Sequence, residues 1–117
     1  MFSFTFLLGL SAVALGAAGS HLIPQDMLLL WQTAVSYQFW HVLAALICLV
    51  ASRQAGLQRL LWSVPFFWLG IIFFSGSLYC KALHIDWWPV QLAPIGGSLL
   101  MLGWLIAALV TALASKK

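Results

Sequence analysis

Four long stretches of the sequence contain no charged residue, and they constrain the fold more than any other feature. They cover residues 1–25, 27–52, 60–80 and 87–115, so each has at least 21 residues. An α-helix needs about 20 apolar residues to cross the roughly 30 Å hydrocarbon core of a bilayer. A transmembrane β-barrel would instead need segments of about ten residues in which apolar and polar side chains alternate. The runs do not alternate in this way, so the pattern predicts transmembrane helices.

The charged residues are also too few for a soluble protein. Only 6% of the 117 residues are charged, as five Lys or Arg and two Asp or Glu, while 64% are hydrophobic. A soluble domain usually carries about a quarter charged residues. The composition also excludes disordered and disulfide-rich secreted chains. We therefore predict one all-α integral membrane domain over residues 1–117, a four-helix transmembrane bundle of up-down-up-down topology with helices at about 3–20, 33–51, 61–80 and 95–114.

Prolines help to locate two of the helix starts. Proline suits the first turn of a helix, where its missing N–H removes no helical hydrogen bond. Pro24 therefore predicts that the second helix begins near Gln25, with its first turns at the membrane interface. Pro94 similarly marks the start of the fourth helix.

The distribution of charge predicts the orientation in the membrane. Four helices place the N-terminus, the 52–60 loop and the C-terminus on one side, which then carries four positive charges and no acidic residue. The other side carries one lysine against two aspartates. Because cytoplasmic loops carry an excess of Lys and Arg, we expect a multi-pass protein of the inner (plasma) membrane with both termini in the cytoplasm. The residues that set this orientation are Arg53, Arg59, Lys116 and Lys117.

Small residues mark the predicted helix interfaces. Helices in lipid associate through close packing, which small side chains allow. In helix one such residues recur every three or four positions, the spacing of one face in a left-handed antiparallel bundle. They serve either to pack the four helices of one molecule or to receive a partner helix, for which Gly103 and Trp104 are the candidates. The predicted helix-packing residues are Gly9, Ala12, Gly16, Gly19, Gly70, Gly76, Gly96, Gly97 and Gly103.

Histidines and uncharged polar residues concentrate in the predicted outer half of the bundle. His41 lies near the middle of helix two, one turn from Tyr37 on the same face. An ionisable group inside the membrane suggests a function. Two interpretations remain open: a small polar pocket open to the outside, for a metal ion, proton or small ligand, or a neutral His41 held by Tyr37 or a helix-three serine that stabilises the bundle. The candidate pocket residues are His21, Tyr37, His41, Ser75, Ser77, Tyr79 and Ser98.

The sequence contains no recognisable catalytic motif. It has no nucleophile motif, no phosphate-binding glycine loop and no paired catalytic carboxylates. His21 and His84, with the loop residues Asp26 and Asp86, lack the i, i+4 spacing of metal ligands, so neither a metal site nor a cofactor is predicted. No basic patch for nucleic acid is present. We therefore expect a protein that is not an enzyme and that does not bind nucleic acid.

Several motifs together resemble a known family. They are GAAGSH (16–21), TAVSYQFWH (33–41), FSGSLY (74–79), APIGG (93–97) and the pair Gly103-Trp104. In this order and spacing, and over nearly the whole chain, they resemble the YgdD family, small bacterial inner-membrane proteins of unknown function with relatives in eukaryotes. The resemblance implies four transmembrane helices and a plasma-membrane location, and it supplies no established activity.

Two functional hypotheses follow, from different classes. The first is a structural or accessory membrane component, embedded in the lipid bilayer, that packs with itself as a homo-oligomer or with a partner in a membrane complex. The second is the binding or transport of a small ligand or ion through an outward-facing polar pocket around His41 and Tyr37. The small-residue faces, the short loops and the lack of catalytic groups favour the first.

Overall fold

The computed structural model describes residues 1–89 and 91–116, and this part of the chain forms helices and connections without any strand. The α-helices are α1 (Phe2–Leu22), α2 (Leu28–Ala51), α3 (Ser63–Ala82) and α4 (Leu92–Ala114). A short 3₁₀ helix, Gln58–Trp62, leads directly into α3. All four helical segments are long and apolar enough to cross a membrane, with α3 extended by the 3₁₀ helix. This confirms the prediction of an all-helical chain with four helices that can span a bilayer.

The helix starts differ from the predicted ones by a few residues. Helix α2 begins at Leu28 rather than near Gln25, because the chain first makes a turn in which the Met27 N–H donates to the Pro24 carbonyl over 3.0 Å. Pro24 therefore lies in the connection, outside the first turn of α2. Pro94 lies in the first turn of α4, where its missing N–H costs no helical hydrogen bond.

Consecutive helices form the extensive interfaces of the molecule. The largest joins α3 to α4, followed by α2 with α3 and α1 with α2. The hydrophobic core lies between α2, α3 and α4 and is centred on Val64, Phe67 and Ile71 of α3, which pack against Leu49 and Leu100. Within the described residues α1 and α4 share no extensive interface, so the two terminal helices flank the α2–α3 pair.

The α3–α4 interface depends on glycines in both helices. Gly96 lies against the backbone of α3, where an added Cβ would overlap the Phe74 amide nitrogen and lie 2.7 Å from the Phe73 carbonyl carbon. Gly103 lies against the ring of Phe67 in the same way, and Gly70 lies against Leu100. The two helix axes therefore approach more closely than any larger residue at these positions would allow.

Candidate functional site

The most completely satisfied polar group in the interior is the side-chain amide of Gln38. Gln38 is 3% exposed, and its Nε2 donates to the Leu8 carbonyl and to Ser11 Oγ, each over 2.8 Å. Its Oε1 accepts from the hydroxyl of Tyr79 over 2.7 Å. Because a buried amide is costly unless its donors and acceptors are paired, these bonds hold α1, α2 and α3 together around one residue.

Two of the other side-chain hydrogen bonds that join these three helices belong to the same network. The indole Nε1 of Trp31 donates to the Leu15 carbonyl of α1 over 2.7 Å, and its ring meets the Tyr79 ring edge-on with centroids 4.7 Å apart. Ser75 Oγ of α3 donates to the Ala34 carbonyl of α2 over 2.8 Å. We call Ser11, Trp31, Gln38, Ser75 and Tyr79 the three-helix network.

A second group of polar side chains lies where α2 faces α4. The His41 ring stacks on Tyr37 with centroids 5.8 Å apart and meets the Trp104 ring edge-on at 6.1 Å. Its Nδ1 lies 2.6 Å from the Tyr37 carbonyl oxygen. Because a carbonyl oxygen only accepts, Nδ1 carries the proton, and in the neutral ring Nε2 is then a free acceptor. We call Tyr37, His41 and Trp104 the aromatic face.

Three polar atoms of the aromatic face have no hydrogen-bond partner among the described residues. They are the Tyr37 hydroxyl, His41 Nε2 and the Trp104 indole Nε1. Tyr37 is 43% exposed and Trp104 is 52% exposed, while His41 lies beneath them at 8%. Both α2 and α4 carry these residues near their midpoints. The acceptor of His41 and the donors of Tyr37 and Trp104 therefore lie near the midpoints of two helices that are long and apolar enough to cross a membrane.

The remaining residues of the predicted polar pocket are divided among several places. Ser77 is buried, accepts from Trp88 Nε1 over 2.9 Å and donates to a carbonyl of its own helix. His21 is exposed at the end of α1, and Ser98 is exposed and bonded to the Pro94 carbonyl of its own helix. Ser75 and Tyr79 belong to the three-helix network, whereas Tyr37 and His41 belong to the aromatic face. The structure thus brings the seven residues to separate places instead of one shared pocket.

Ser11, Trp31 and Gln38 of the three-helix network are not among the residues predicted from the sequence. The sequence does indicate that Trp31 and Gln38 share a packed face, because Trp31, Ala34 and Gln38 follow one another at spacings of three and four on one face of α2. A glutamine on the packed face of a membrane helix needs partners as much as a histidine does. The position of Gln38 relative to Trp31 and Ala34 therefore indicates a buried, hydrogen-bonded side chain.

The predicted packing residues lie at helix interfaces to different degrees. Gly9 and Gly16 face valines of α2, with room for an added Cβ at 3.4 Å from each. Gly76 and Gly97 are half-buried with more space around them. Of the residues predicted to set topology, Arg53, Arg59 and Lys116 are exposed, and Lys117 lies outside the described residues. The fully buried members are Ala12, Gly19, Gly70, Gly96 and Gly103.

The aromatic face lies apart from three clefts of the described structure. In residues 1–89 and 91–116 no three His, Cys, Asp or Glu side chains come together as metal ligands would. A cleft of about 320 Å³ lies between α1 and α2 beside Gly16, and another of about 330 Å³ lies along α2 beside Ile47. A third, of about 460 Å³, lies between the 3₁₀ helix and the C-terminal half of α4. Neither Tyr37 nor His41 lines any of these three clefts.

Known proteins resemble this chain over most of its length. A family described as "Protein of unknown function (DUF423)" matches residues 15–97. The UPF0382 inner membrane protein YgdD of Escherichia coli (strain K12) is 39% identical over 109 residues, which are 89% of this chain and 82% of that protein. The UPF0382 membrane protein SAB0533 of Staphylococcus aureus (strain bovine RF122 / ET3-1) is 38% identical over 104 residues, 86% of this chain and 84% of the relative.

A relative from a third genus gives the same result. A UPF0382 membrane protein of Haemophilus influenzae is 37% identical over 107 residues, which are 87% of this chain and 85% of the relative. No solved structure matches the chain. The matches confirm the resemblance that the motifs indicated, and the chain belongs to the UPF0382 (DUF423) family of membrane proteins of unknown function.

Proposed function

We propose that this protein is a non-enzymatic structural component of the inner membrane that assembles with a second copy of itself through the aromatic face. The observation that carries the proposal is the set of unpartnered polar atoms on Tyr37, His41 and Trp104 near the middle of the membrane-spanning helices. Unpaired hydrogen-bonding groups in hydrocarbon cost free energy, and a protein surface that supplies partners removes this cost.

The arrangement favours a second copy because the aromatic face contains both a hydrogen-bond donor and a hydrogen-bond acceptor. The indole of Trp104 is a donor, and the free nitrogen of His41 is an acceptor, with their rings 6.1 Å apart. In a two-fold symmetric dimer, residue i of one subunit meets residue j of the other and the reverse. Trp104 of each subunit then donates to the partner's His41, and one symmetric contact satisfies four groups.

The test is the oligomeric state in lipid vesicles, measured by energy transfer between donor- and acceptor-labelled protein at increasing dilution in lipid. Trp104→Leu removes two hydrogen bonds from each dimer, one per subunit, and is expected to weaken the dimer by about tenfold to 300-fold, because a hydrogen bond between membrane helices contributes roughly 0.6–1.7 kcal/mol. The matched control is Trp40→Leu, because Trp40 is an exposed tryptophan of α2 outside the aromatic face. A wild-type protein that stays monomeric, or two variants that weaken the dimer equally, would overturn the proposal.

We also propose an up-down-up-down topology with both termini in the cytoplasm. Supporting it are paired positions along adjacent helices that run in opposite directions, such as Leu8 with Gln38 and Leu15 with Trp31. Gly103 near Phe67 and Gly96 near Phe73 form a second such series. The excess of Lys and Arg in the 52–60 loop and at the C-terminus supports the cytoplasmic assignment.

A further inference from the structure

The 3₁₀ helix before α3 holds two side chains over the largest of the three clefts. Leu60 is buried in the hydrophobic core and anchors this helix. A 3₁₀ helix has three residues per turn, so Arg59 and Trp62 point to the same side. Both line the cleft of about 460 Å³ that separates the 3₁₀ helix from α4. We call this cleft the basic groove.

The opposite wall of the basic groove is a continuous apolar strip on α4. Its residues recur at spacings of three and four, which places them on one face of the helix. The strip spans eight helical steps, or about 12 Å at 1.5 Å per residue. Leu109 and Leu113 are exposed along it. The residues of this wall are Ile106, Leu109, Val110, Leu113 and Ala114.

The end of the groove at the 3₁₀ helix is polar and positively charged. Gln58 Oε1 accepts from the Gly56 N–H over 3.1 Å, which leaves the amide NH₂ of Gln58 as a donor beside Arg59. The chain has only two acidic residues, Asp26 and Asp86, and both lie in other connections. Arg53, the other basic residue of the loop, packs over the Phe2 ring with its Cζ 5.1 Å from the centroid. Arg59 is therefore the one basic side chain among the described residues that line the basic groove.

We propose that the basic groove binds one anionic phospholipid. The phosphate accepts hydrogen bonds from the Arg59 guanidinium and the Gln58 amide, and an acyl chain lies along the apolar strip of α4. A guanidinium suits a phosphate because its N–H groups form paired, charge-assisted hydrogen bonds. The groove lies at the end of the membrane-spanning helices. Its cationic end matches the anionic phosphate of a phospholipid, and its apolar wall matches an acyl chain. Its occupancy does not depend on the aromatic face, which involves other residues.

The experiment is native mass spectrometry of the detergent-purified full-length protein with phosphatidylglycerol or phosphatidylcholine of identical acyl chains. We expect the wild-type protein to retain one phosphatidylglycerol with about fivefold preference over phosphatidylcholine, as one basic residue near anionic lipid provides. Arg59→Gln is expected to abolish this preference. Arg53→Gln is the matched control, since it removes the same charge from the same loop outside the groove, and it is expected to keep the preference.

A second variant tests the apolar wall without changing any charge. Leu109→Trp fills the groove with a larger side chain and is expected to reduce retention of phosphatidylglycerol severalfold while leaving the thermal stability unchanged, because Leu109 is exposed. The proposal is overturned if the wild-type protein shows no preference between the two lipids. It is also overturned if Arg53→Gln and Arg59→Gln lower the preference equally, which indicates only a diffuse attraction, or if Leu109→Trp retains the lipid as the wild type does.

Discussion

Gln38 joins more helices through its side chain than any other residue described above. Its amide contacts Leu8 and Ser11 of α1 and Tyr79 of α3 from a position on α2. Inside a membrane no water replaces a lost partner, so the loss of this amide leaves the Tyr79 hydroxyl without its acceptor. The three-helix network should therefore contribute to the stability of the fold.

Gln38→Leu is accordingly expected to lower the free energy of unfolding by about 1–2 kcal/mol, the range for a buried polar group that loses its partner. Reversible unfolding in mixed micelles, followed by circular dichroism, measures the change. Gln32→Leu is the control, because Gln32 is an exposed glutamine of the same helix, and its effect should stay within about 0.5 kcal/mol. If the two substitutions were equally costly, the network would not be the source of the stability.

Sequence alone could identify His41 as a residue that needs a partner, but it could not choose the partner atom. A neutral histidine bonded to Tyr37 or to a helix-three serine was one of the two interpretations. In the structure its Nδ1 donates to the Tyr37 carbonyl, one helical turn away, while Ser75 donates to Ala34. The pairing of Gln38 with Tyr79 is harder to foresee, because it depends on how far apart α2 and α3 lie. That distance is set by packing between helices, and one sequence does not state it.

At the scale of the helices, hydropathy and the charged residues were enough to locate all four. The start of α2 was less accessible, because a proline fits the first turn of a helix and also the turn that precedes it. The chain uses the second option at Pro24, where the Pro24 carbonyl accepts from Met27. Sequence also gave no way to tell that α1 and α4 share no extensive interface, since small residues occur on both helices.

The close approach of α3 and α4 makes Gly96 the most sensitive position of that interface. Gly96→Ala is expected to destabilise the protein by about 1–3 kcal/mol, the usual cost of overpacking, because its Cβ meets the rigid backbone of Phe73 and Phe74. Thermal unfolding in detergent measures this cost.

The adjacent Gly97 provides the control for this substitution. An added Cβ at Gly97 has its nearest neighbour, Phe74 Cδ2, at 3.7 Å, an ordinary contact distance. Gly97→Ala should therefore be neutral or stabilising by up to about 1 kcal/mol, through the higher helix propensity of alanine. Equal destabilisation by both substitutions would mean that helix propensity or lipid contact, and not the α3–α4 approach, governs this region.

At the scale of the whole molecule, the proposed topology predicts on which side of the membrane each connection and terminus lies. Alkaline phosphatase folds only outside the cytoplasm, so its fusion after Ser115 is expected to be inactive, whereas fusion after Asp86 is expected to be active. A green fluorescent protein fused at the same two positions should give the opposite pattern. An active phosphatase at both positions, or only after Ser115, contradicts the proposed orientation.

The three-helix network and the aromatic face have different roles in the proposed assembly. The three-helix network is satisfied within one chain, so it holds α1, α2 and α3 together and needs nothing from outside. The aromatic face is unsatisfied among the described residues and lies between exposed apolar surfaces of α2 and α4. In the proposed assembly, a second copy therefore covers the aromatic face.

Thiol crosslinking in native membranes tests the proposed dimer. In a background with Cys48→Ala and Cys80→Ala, a cysteine replaces Ala108, which is exposed one turn from Trp104 on the same side of α4. In a control, a cysteine replaces Ala14, which is exposed on α1 away from the aromatic face. Because the proposed contact places α4 of one copy against α2 of its partner, the two introduced thiols need a bifunctional maleimide rather than a direct disulfide, which requires Cα atoms within about 7 Å. This reagent should give a crosslinked dimer with Ala108→Cys and little with Ala14→Cys. No crosslinked dimer from Ala108→Cys, or equal amounts from both variants, would contradict the proposed dimer.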